Sequence, residues 1–153
     1  MTLRRRGYLV EGWMAVKRFF DVRNPLFHGT NPGAVTSILL HGEGLKQVAG
    51  GHFGSGQKQG GISLARTLDA ALKFGSYVIV IDRDKLHGEM KPVQYGGRSW
   101  EDETEERFHG EIPVSAIRGL IMNRKAQTYE VKEFGERGIV VVHKVGSNYE
   151  RAV

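Results

Sequence analysis

The sequence predicts an α+β fold in one domain spanning residues 1–153. The order of predicted segments is helix, strand, helix, strand, helix and then a run of strands, which is typical of that class. Tyr77–Asp82 is a continuous apolar run, as expected of a buried strand. The chain is long enough for one core but too short for two ordinary domains, and no linker divides it.

The first third of the chain contains two predicted helices around a short strand. Apolar side chains recur at helical spacing over residues 7–22, which predicts an amphipathic N-terminal helix that ends before Asn24. Leu26 and Phe27 then form a strand that leads into His28. Asn31 is a candidate N-cap for a second helix, with proline in its first turn.

The rest of the chain predicts one more helix and most of the sheet. Residues 48–61 are glycine-rich and predict a loop, but they lack the Gly-Lys-Ser/Thr ending of a P-loop. Ile62–Leu64 predicts a strand, and Thr67 caps a helix that runs to Phe74. Beyond Tyr77–Asp82, the pattern predicts a polar loop over residues 87–100 and strands that begin at Arg107 and cover 117–122, 129–134 and 139–143.

Composition excludes several classes of protein. The chain has no cysteine, so disulfides, thiolate metal sites and a cysteine nucleophile are excluded. Its six histidines lack metal-ligand spacing, so we expect no metal. The net charge of +5 favours a solvated, slightly basic surface, and a patch that faces a polyanion is the alternative.

Nothing in the sequence predicts membrane insertion or secretion. No apolar stretch is long enough to span a bilayer. Arginines at positions 4–6 precede apolar residues as in a signal peptide, but Glu11, Lys17 and Arg18 interrupt that run and no cleavage site follows. We therefore expect a cytoplasmic protein.

Two segments carry a recognisable pattern of residues. The first reads Leu-Phe-His-Gly-Thr-Asn over residues 26–31, followed by a helix that ends in Gly-Glu-Gly-Leu. The second reads Gly-Gly-Ile-Ser-Leu-Ala-Arg-Thr over residues 60–67, followed by Phe74. Together they resemble the NAD-binding core of ADP-ribosyltransferases, especially the poly(ADP-ribose) polymerase and diphtheria-toxin branch. The resemblance implies two small antiparallel sheets flanked by helices, with an NAD cleft between them, in a core of about residues 26–145.

The resemblance also implies roles for the first segment. His28 matches the histidine that hydrogen-bonds the adenosine-side ribose of NAD. Gly29 matches the glycine whose backbone pairs with the nicotinamide amide, and Thr30 lies beside them. The alternative for His28 is an ordinary histidine at the end of a strand.

The second segment aligns without gaps on the family's Gly-Ile-Tyr-Phe-Ala, beginning at Gly61. Ser63 then stands where this branch has tyrosine, and it is similar to the Ser-Thr-Ser strand of the arginine-directed toxins. Phe74 falls on the tyrosine that stacks on nicotinamide, and it keeps the ring that stacking requires. Core packing of Phe74 is equally compatible with the helical periodicity.

The family's catalytic glutamate stands where a strand begins, and an acidic run over residues 101–106 precedes Arg107. Side chains alternate between the faces of a strand. If Phe108 faces the core, Glu106 faces it too, while Glu105 and Arg107 face the cleft. Glu105 is therefore the first candidate and Glu106 the second. The alternative is a solvated acidic loop.

The function that the resemblance implies is transfer of a single ADP-ribose from NAD to a macromolecule. The length of the chain favours single transfer, and a protein acceptor is favoured over nucleic acid. A phage or bacterial effector acting in a bacterial or host cytoplasm is the matching context by analogy. Two alternatives stay open: an RNA 2′-phosphotransferase-like or nucleic-acid-modifying enzyme, and a catalytically inactive binding or virion-associated module of the same fold. The sequence leaves the acceptor and the oligomeric state undetermined.

Overall fold

The computed structural model describes residues 14–46, 61–92 and 105–152 of the chain. Parts of four sequence predictions lie outside these ranges: residues 7–13 of the N-terminal helix, the glycine-rich loop before Gly61, residues 93–100 of the predicted polar loop and the acidic residues before Glu105. The described residues have the predicted α+β class. No helix among them is both long enough and apolar enough to cross a bilayer.

One mixed sheet of eight strands organises the described residues. The order across the sheet is β4-β5-β2-β1-β3-β6-β7-β8. Neighbouring strands are antiparallel except β6 and β7, which are parallel. In chain order the strands are β1 (Pro25–Thr30), β2 (Ile62–Ala65), β3 (Tyr77–Asp82), β4 (Glu89–Pro92), β5 (Glu105–His109), β6 (Ile117–Met122), β7 (Val140–Val145) and β8 (Asn148–Arg151).

Four α-helices accompany the sheet in the described part of the chain. They are α1 (residues 14–20), α2 (Pro32–Val35), α3 (Leu68–Leu72) and α4 (Thr128–Glu136), with a π-helical turn at Thr36–Leu40 and 3₁₀ turns at Arg83–Lys85 and Val114–Ala116. The two predicted N-caps are confirmed. The Asn31 side chain accepts a hydrogen bond from the Ala34 amide at 2.9 Å, and Thr67 accepts one from the Ala70 amide at 3.2 Å.

Each face of the sheet buries its own apolar cluster, because side chains alternate along every strand. We call the side covered by α2, the π-helical turn and α4 face A, and the side covered by α1 and α3 face B. Face A buries Leu26, Leu64, Ile79, Ile81, Phe108, Leu120 and Met122. Face B buries Phe27, Ala65, Val78, Val80, Ile121 and Val142. Strand β3 contributes to both clusters, which explains its continuous apolar sequence.

Strands β1 and β2 share fewer paired residues than any other two neighbouring strands of the sheet. Strand β1 pairs with β3 over all six of its residues, but it pairs with β2 only at Phe27, opposite Ala65. The prediction of two small antiparallel sheets is not confirmed, because this pair and the parallel β6–β7 pair join all strands into one mixed sheet. Beyond Phe27, the residues His28–Thr30 have no partner in β2. We call this gap the β1–β2 opening.

The predicted strand at residues 129–134 is wrong, because these residues lie in helix α4. The buried side chains of this segment are Glu130 and Phe134, which are four residues apart as on a helix face. Two partners compensate the burial of Glu130: Arg124, six residues before it, donates at 2.7 Å, and the hydroxyl of the distant Tyr77 donates at 3.0 Å. The helix also supplies the crossover that the parallel β6–β7 pair requires.

Two edge strands were absent from the sequence prediction. Strand β4 lies in the segment predicted as a polar loop, and β8 follows the segment predicted to be last in the sheet. Both are polar strands at the sheet edges, where solvent contact removes the apolar alternation that identifies a strand. Strand β5 also begins earlier than predicted, at Glu105 rather than Arg107. This earlier start puts Glu105 inside the sheet ladder.

Candidate active site

Three neighbouring strands bring His28, Ser63 and Glu105 together. These residues come from β1, β2 and β5, which are separated along the chain but adjacent in the sheet. The His28 ring contacts the Ser63 backbone carbonyl, and the Ser63 hydroxyl donates to the Glu105 carboxylate. The sequence proposed all three as site residues, and the fold makes them one connected group.

His28 lies at the β1–β2 opening. Its Nδ1 is 2.9 Å from the carbonyl oxygen of Ser63, which has no β1 residue opposite it in the ladder. Since a carbonyl only accepts, Nδ1 carries the proton and Nε2 of the neutral ring is the acceptor. Burial lowers the pKa of His28 below its usual value of 6.5, and it outweighs the backbone hydrogen bond, which raises the pKa. Burial therefore favours the neutral ring, in which Nε2 is the acceptor.

Ser63 and Arg107 both contact one oxygen of the Glu105 side chain. The Ser63 hydroxyl donates to Oε2 at 2.5 Å, which is within the range of charge-assisted hydrogen bonds. The Arg107 guanidinium lies 3.6 Å from the same oxygen. All three side chains project from face B, because Ser63 pairs with Arg107 and Ala65 pairs with Glu105 in the β2–β5 ladder.

Glu106 projects from the opposite side of the same strand. Phe108 is buried in the cluster of face A, and Glu106 lies two residues before it on that face. Its Oε2 is 3.2 Å from the Arg83 guanidinium. The alternation expected from the sequence is therefore present, and only Glu105 of the two candidates reaches Ser63.

Gly29 lies where β1 and α3 approach each other closely beside the site. A Cβ atom at Gly29 would lie 2.2 Å from the carbonyl oxygen of Ala71 in α3 and 3.1 Å from Cβ of Phe74. Only glycine permits this close approach of β1 and α3. Phe74 follows the end of α3 and is 71% exposed, so the alternative that it packs in the core is wrong. The first side-chain carbon of the exposed Phe74 therefore lies close to Gly29.

Two other predicted site residues are further from Glu105 along their strands. Thr30 is buried at the end of β1, opposite Tyr77 of β3. Gly61 precedes β2 with a φ of +79°, and a Cβ there would meet the Phe108 carbonyl at 3.1 Å. Chain geometry by itself accounts for this glycine.

Arg107 is the contact of Glu105 that received no role from the sequence. The sequence did contain a signal for Arg107. It is a charged residue in a predicted strand, and it lies two positions after Glu105, so both side chains project from the same face of that strand. The backbone carbonyl of Ala71, which sets the Gly29 contact, could not be identified from a side-chain pattern.

The arrangement suits an uncharged or cationic reacting centre beside a carboxylate. His28 projects from face A and Glu105 from face B, and Ser63 links them through its backbone carbonyl to His28 and through its hydroxyl to Glu105. In the three described ranges, no group of His, Asp or Glu side chains has the arrangement of a metal site. No model of a known protein family and no curated protein matches this chain.

Proposed function

We propose that the protein transfers a single ADP-ribose unit from NAD to a macromolecule, with a protein acceptor favoured over nucleic acid. The convergence of His28, Ser63 and Glu105 at the β1–β2 opening carries the proposal. These residues were chosen from separate segments of sequence because of a resemblance to ADP-ribosyltransferases. Their contact in the fold is an independent observation that supports that resemblance.

The residues around the opening fit the parts of NAD. Nε2 of neutral His28 would accept a hydrogen bond from a ribose hydroxyl. Glycine at position 29 lets α3 approach β1 closely, and by the resemblance its backbone would pair with the nicotinamide amide. The exposed ring of Phe74 would stack on nicotinamide. A flat heterocycle next to a ribose is therefore the ligand that these three residues suit.

Glu105 would act on charge that develops during the reaction. The bond from ribose C1 to nicotinamide breaks, and its electron pair leaves on nicotinamide. Positive charge then develops on the ribose carbon, and a carboxylate beside it stabilises that charge. A lone pair of the acceptor forms the new bond to C1, and the proton of the acceptor passes to solvent.

The test is to incubate the protein with labelled NAD, first alone and then with a cell lysate. We expect NAD to raise the melting temperature, since it binds only the folded chain. We also expect release of nicotinamide. The label should become attached to macromolecules of the lysate, and protease treatment should remove it from them. Label that is removed by nuclease instead would support the nucleic-acid-modifying alternative. NAD binding without nicotinamide release would support the inactive module, and the absence of both would contradict the transferase proposal.

Replacing His28 is expected to weaken NAD binding. His28→Ala should cost about 1–3 kcal/mol of binding free energy, the usual effect of losing a polar partner at such a site. His28→Asn retains a donor for the Ser63 carbonyl but loses the Nε2 acceptor, so it should keep stability and still lose affinity. His41, an exposed histidine after the π-helical turn, provides the control. Unchanged affinity in folded His28→Asn would contradict the assignment.

The lowered pKa of His28 predicts that both folding stability and NAD affinity depend on pH. Its folded-state pKa lies below 6.5, so the stabilising contribution is present above pH 6.5 and is lost as the pH falls through the folded-state pKa. NAD affinity should fall over the same acidic range, because protonation removes the Nε2 acceptor. Titration of binding by calorimetry checks this, and His28→Asn should remove the His28-dependent part of the loss.

Phe74 is expected to contribute to binding without contributing to the core. Phe74→Ala should reduce NAD affinity by about 0.5–1.5 kcal/mol, as for other lost aromatic contacts. The melting temperature without ligand should change little, because the side chain is exposed. Phe74→Tyr should be tolerated, and Tyr129→Ala is the matched control at another exposed aromatic residue. If Phe74→Ala binds NAD normally, the ring does not stack on the ligand.

A further inference from the structure

Arg107 is an arginine placed in the middle of a strand and withdrawn from solvent. Its side chain is 9% exposed, and that of Glu105 is 15% exposed. Arginine is rarely buried unless its charge is paired. The guanidinium lies 3.6 Å from Oε2 of Glu105, the oxygen that also accepts the Ser63 hydrogen bond. Two groups on two strands therefore act on one carboxylate oxygen.

The register of the sheet explains why this arrangement is well defined. Arg107 is opposite Ser63 in the β2–β5 ladder and opposite Lys91 in the β4–β5 ladder. Arg107 and Glu105 are two residues apart on β5, so both project from face B. A strand flanked by two paired neighbours holds its side chains more firmly than a loop does. The position of the Glu105 carboxylate thus depends on β2 and on the guanidinium together.

We propose that Arg107 is a positioning residue, which holds Oε2 of Glu105 on the Ser63 side and so orients the carboxylate toward the β1–β2 opening. This inference rests on the proposed transferase function. Arg107 acts through Glu105 and does not itself contact the reacting atoms. An orientation error of about 1 Å in a catalytic group can reduce a rate about 100-fold, so such a contact affects turnover strongly.

The charge of Arg107 has an opposing effect. A cation 3.6 Å from the carboxylate reduces the negative potential that would stabilise a developing positive charge. If this effect dominated, removal of Arg107 would accelerate the reaction. Positioning predicts the opposite sign, and a purely structural ion pair predicts a change in stability with little change in turnover. The three roles are therefore distinguishable by experiment.

The experiment measures nicotinamide release by the wild type and by Arg107→Gln, Arg107→Lys and Lys91→Gln variants. We expect Arg107→Gln to lower kcat about 100-fold with little change in KM for NAD. Arg107→Lys should recover part of the loss, since it retains the charge without the planar fork. Lys91→Gln removes the exposed cation opposite Arg107 and should leave kcat unchanged.

A double-mutant cycle with Glu105→Gln separates positioning from structure. In single-turnover assays at high enzyme concentration, Arg107→Gln should add no further loss once Glu105 is replaced. Equal losses in both backgrounds, an unchanged or raised kcat, or a loss confined to KM would overturn the role of Arg107 while wild-type activity remains. Absence of nicotinamide release by the wild type would overturn the transferase proposal and this role with it. If Arg107→Gln does not fold, the same double-mutant cycle with Arg107→Lys tests whether Arg107 is a positioning residue.

Discussion

Glu105→Gln is expected to slow nicotinamide release by about 10²–10³-fold, the usual effect of removing one electrostatic group that stabilises a transition state. The affinity for NAD should change little, because the carboxylate acts on charge that appears only as the glycosidic bond breaks. Glutamine retains an oxygen that can accept from Ser63, so the fold of the site should persist. Steady-state kinetics with separate NAD-binding measurements check both parts.

Glu106→Gln is the matched control for this prediction. Glu106 is the neighbouring residue on the same strand, but it lies on face A with Arg83 as its ion-pair partner. Its replacement should lower thermal stability and leave turnover nearly intact. The reverse ranking of the two variants would show that the group acting on NAD lies on face A. If neither variant slows release, the catalytic carboxylate is not on β5.

Gly29→Ala is expected to reduce both stability and NAD binding. The new methyl group would lie 2.2 Å from the Ala71 carbonyl oxygen, which is backbone and cannot rotate away. Strand β1 or helix α3 must therefore shift, and such overpacking costs about 1–3 kcal/mol or more. A shift of α3 also moves Phe74 away from Gly29. Thermal unfolding and NAD titration of the variant check the two consequences.

Gly135→Ala is the control for the effect of the added methyl group. Gly135 lies in helix α4, and a Cβ there meets nothing within 4 Å. Alanine should stabilise this helix by about 0.5–1 kcal/mol, because it restricts the unfolded chain and has the higher helix propensity. If Gly29→Ala is as stable as Gly135→Ala, the close contact between β1 and α3 is not present in solution.

The sequence predicted the parts of the fold that local patterns determine. Tyr77–Asp82 is a strand because its apolar run is buried on both faces, and Asn31 and Thr67 are helix caps because their side chains bond the third amide beyond them. The sequence could not predict β8, whose residues lack apolar alternation at the sheet edge. Helix α4 was missed because one partner of its buried Glu130 is Tyr77, 53 residues earlier in the chain.

Some features of the candidate site were likewise predictable from the sequence, and others depend on the fold. Alternation along β5 assigned Glu105 and Glu106 to opposite faces from the sequence, given that Phe108 is buried. The sequence left Phe74 equally compatible with core packing and with stacking, and its exposure depends on α3 ending at Leu72. That Ser63 is the partner of Glu105 depends on the pairing of β2 with β5.

The sequence by itself determined which residues form most of the helices and strands, and which side chains share a strand face, because these properties depend on neighbours within a few residues. Only the tertiary structure decided that β1, β2 and β5 are adjacent, that β1 leaves β2 after Phe27, and that Arg107 reaches Glu105. Strand order and register join residues far apart in the chain. They are selected by burial of both faces of the whole sheet, which no local segment encodes.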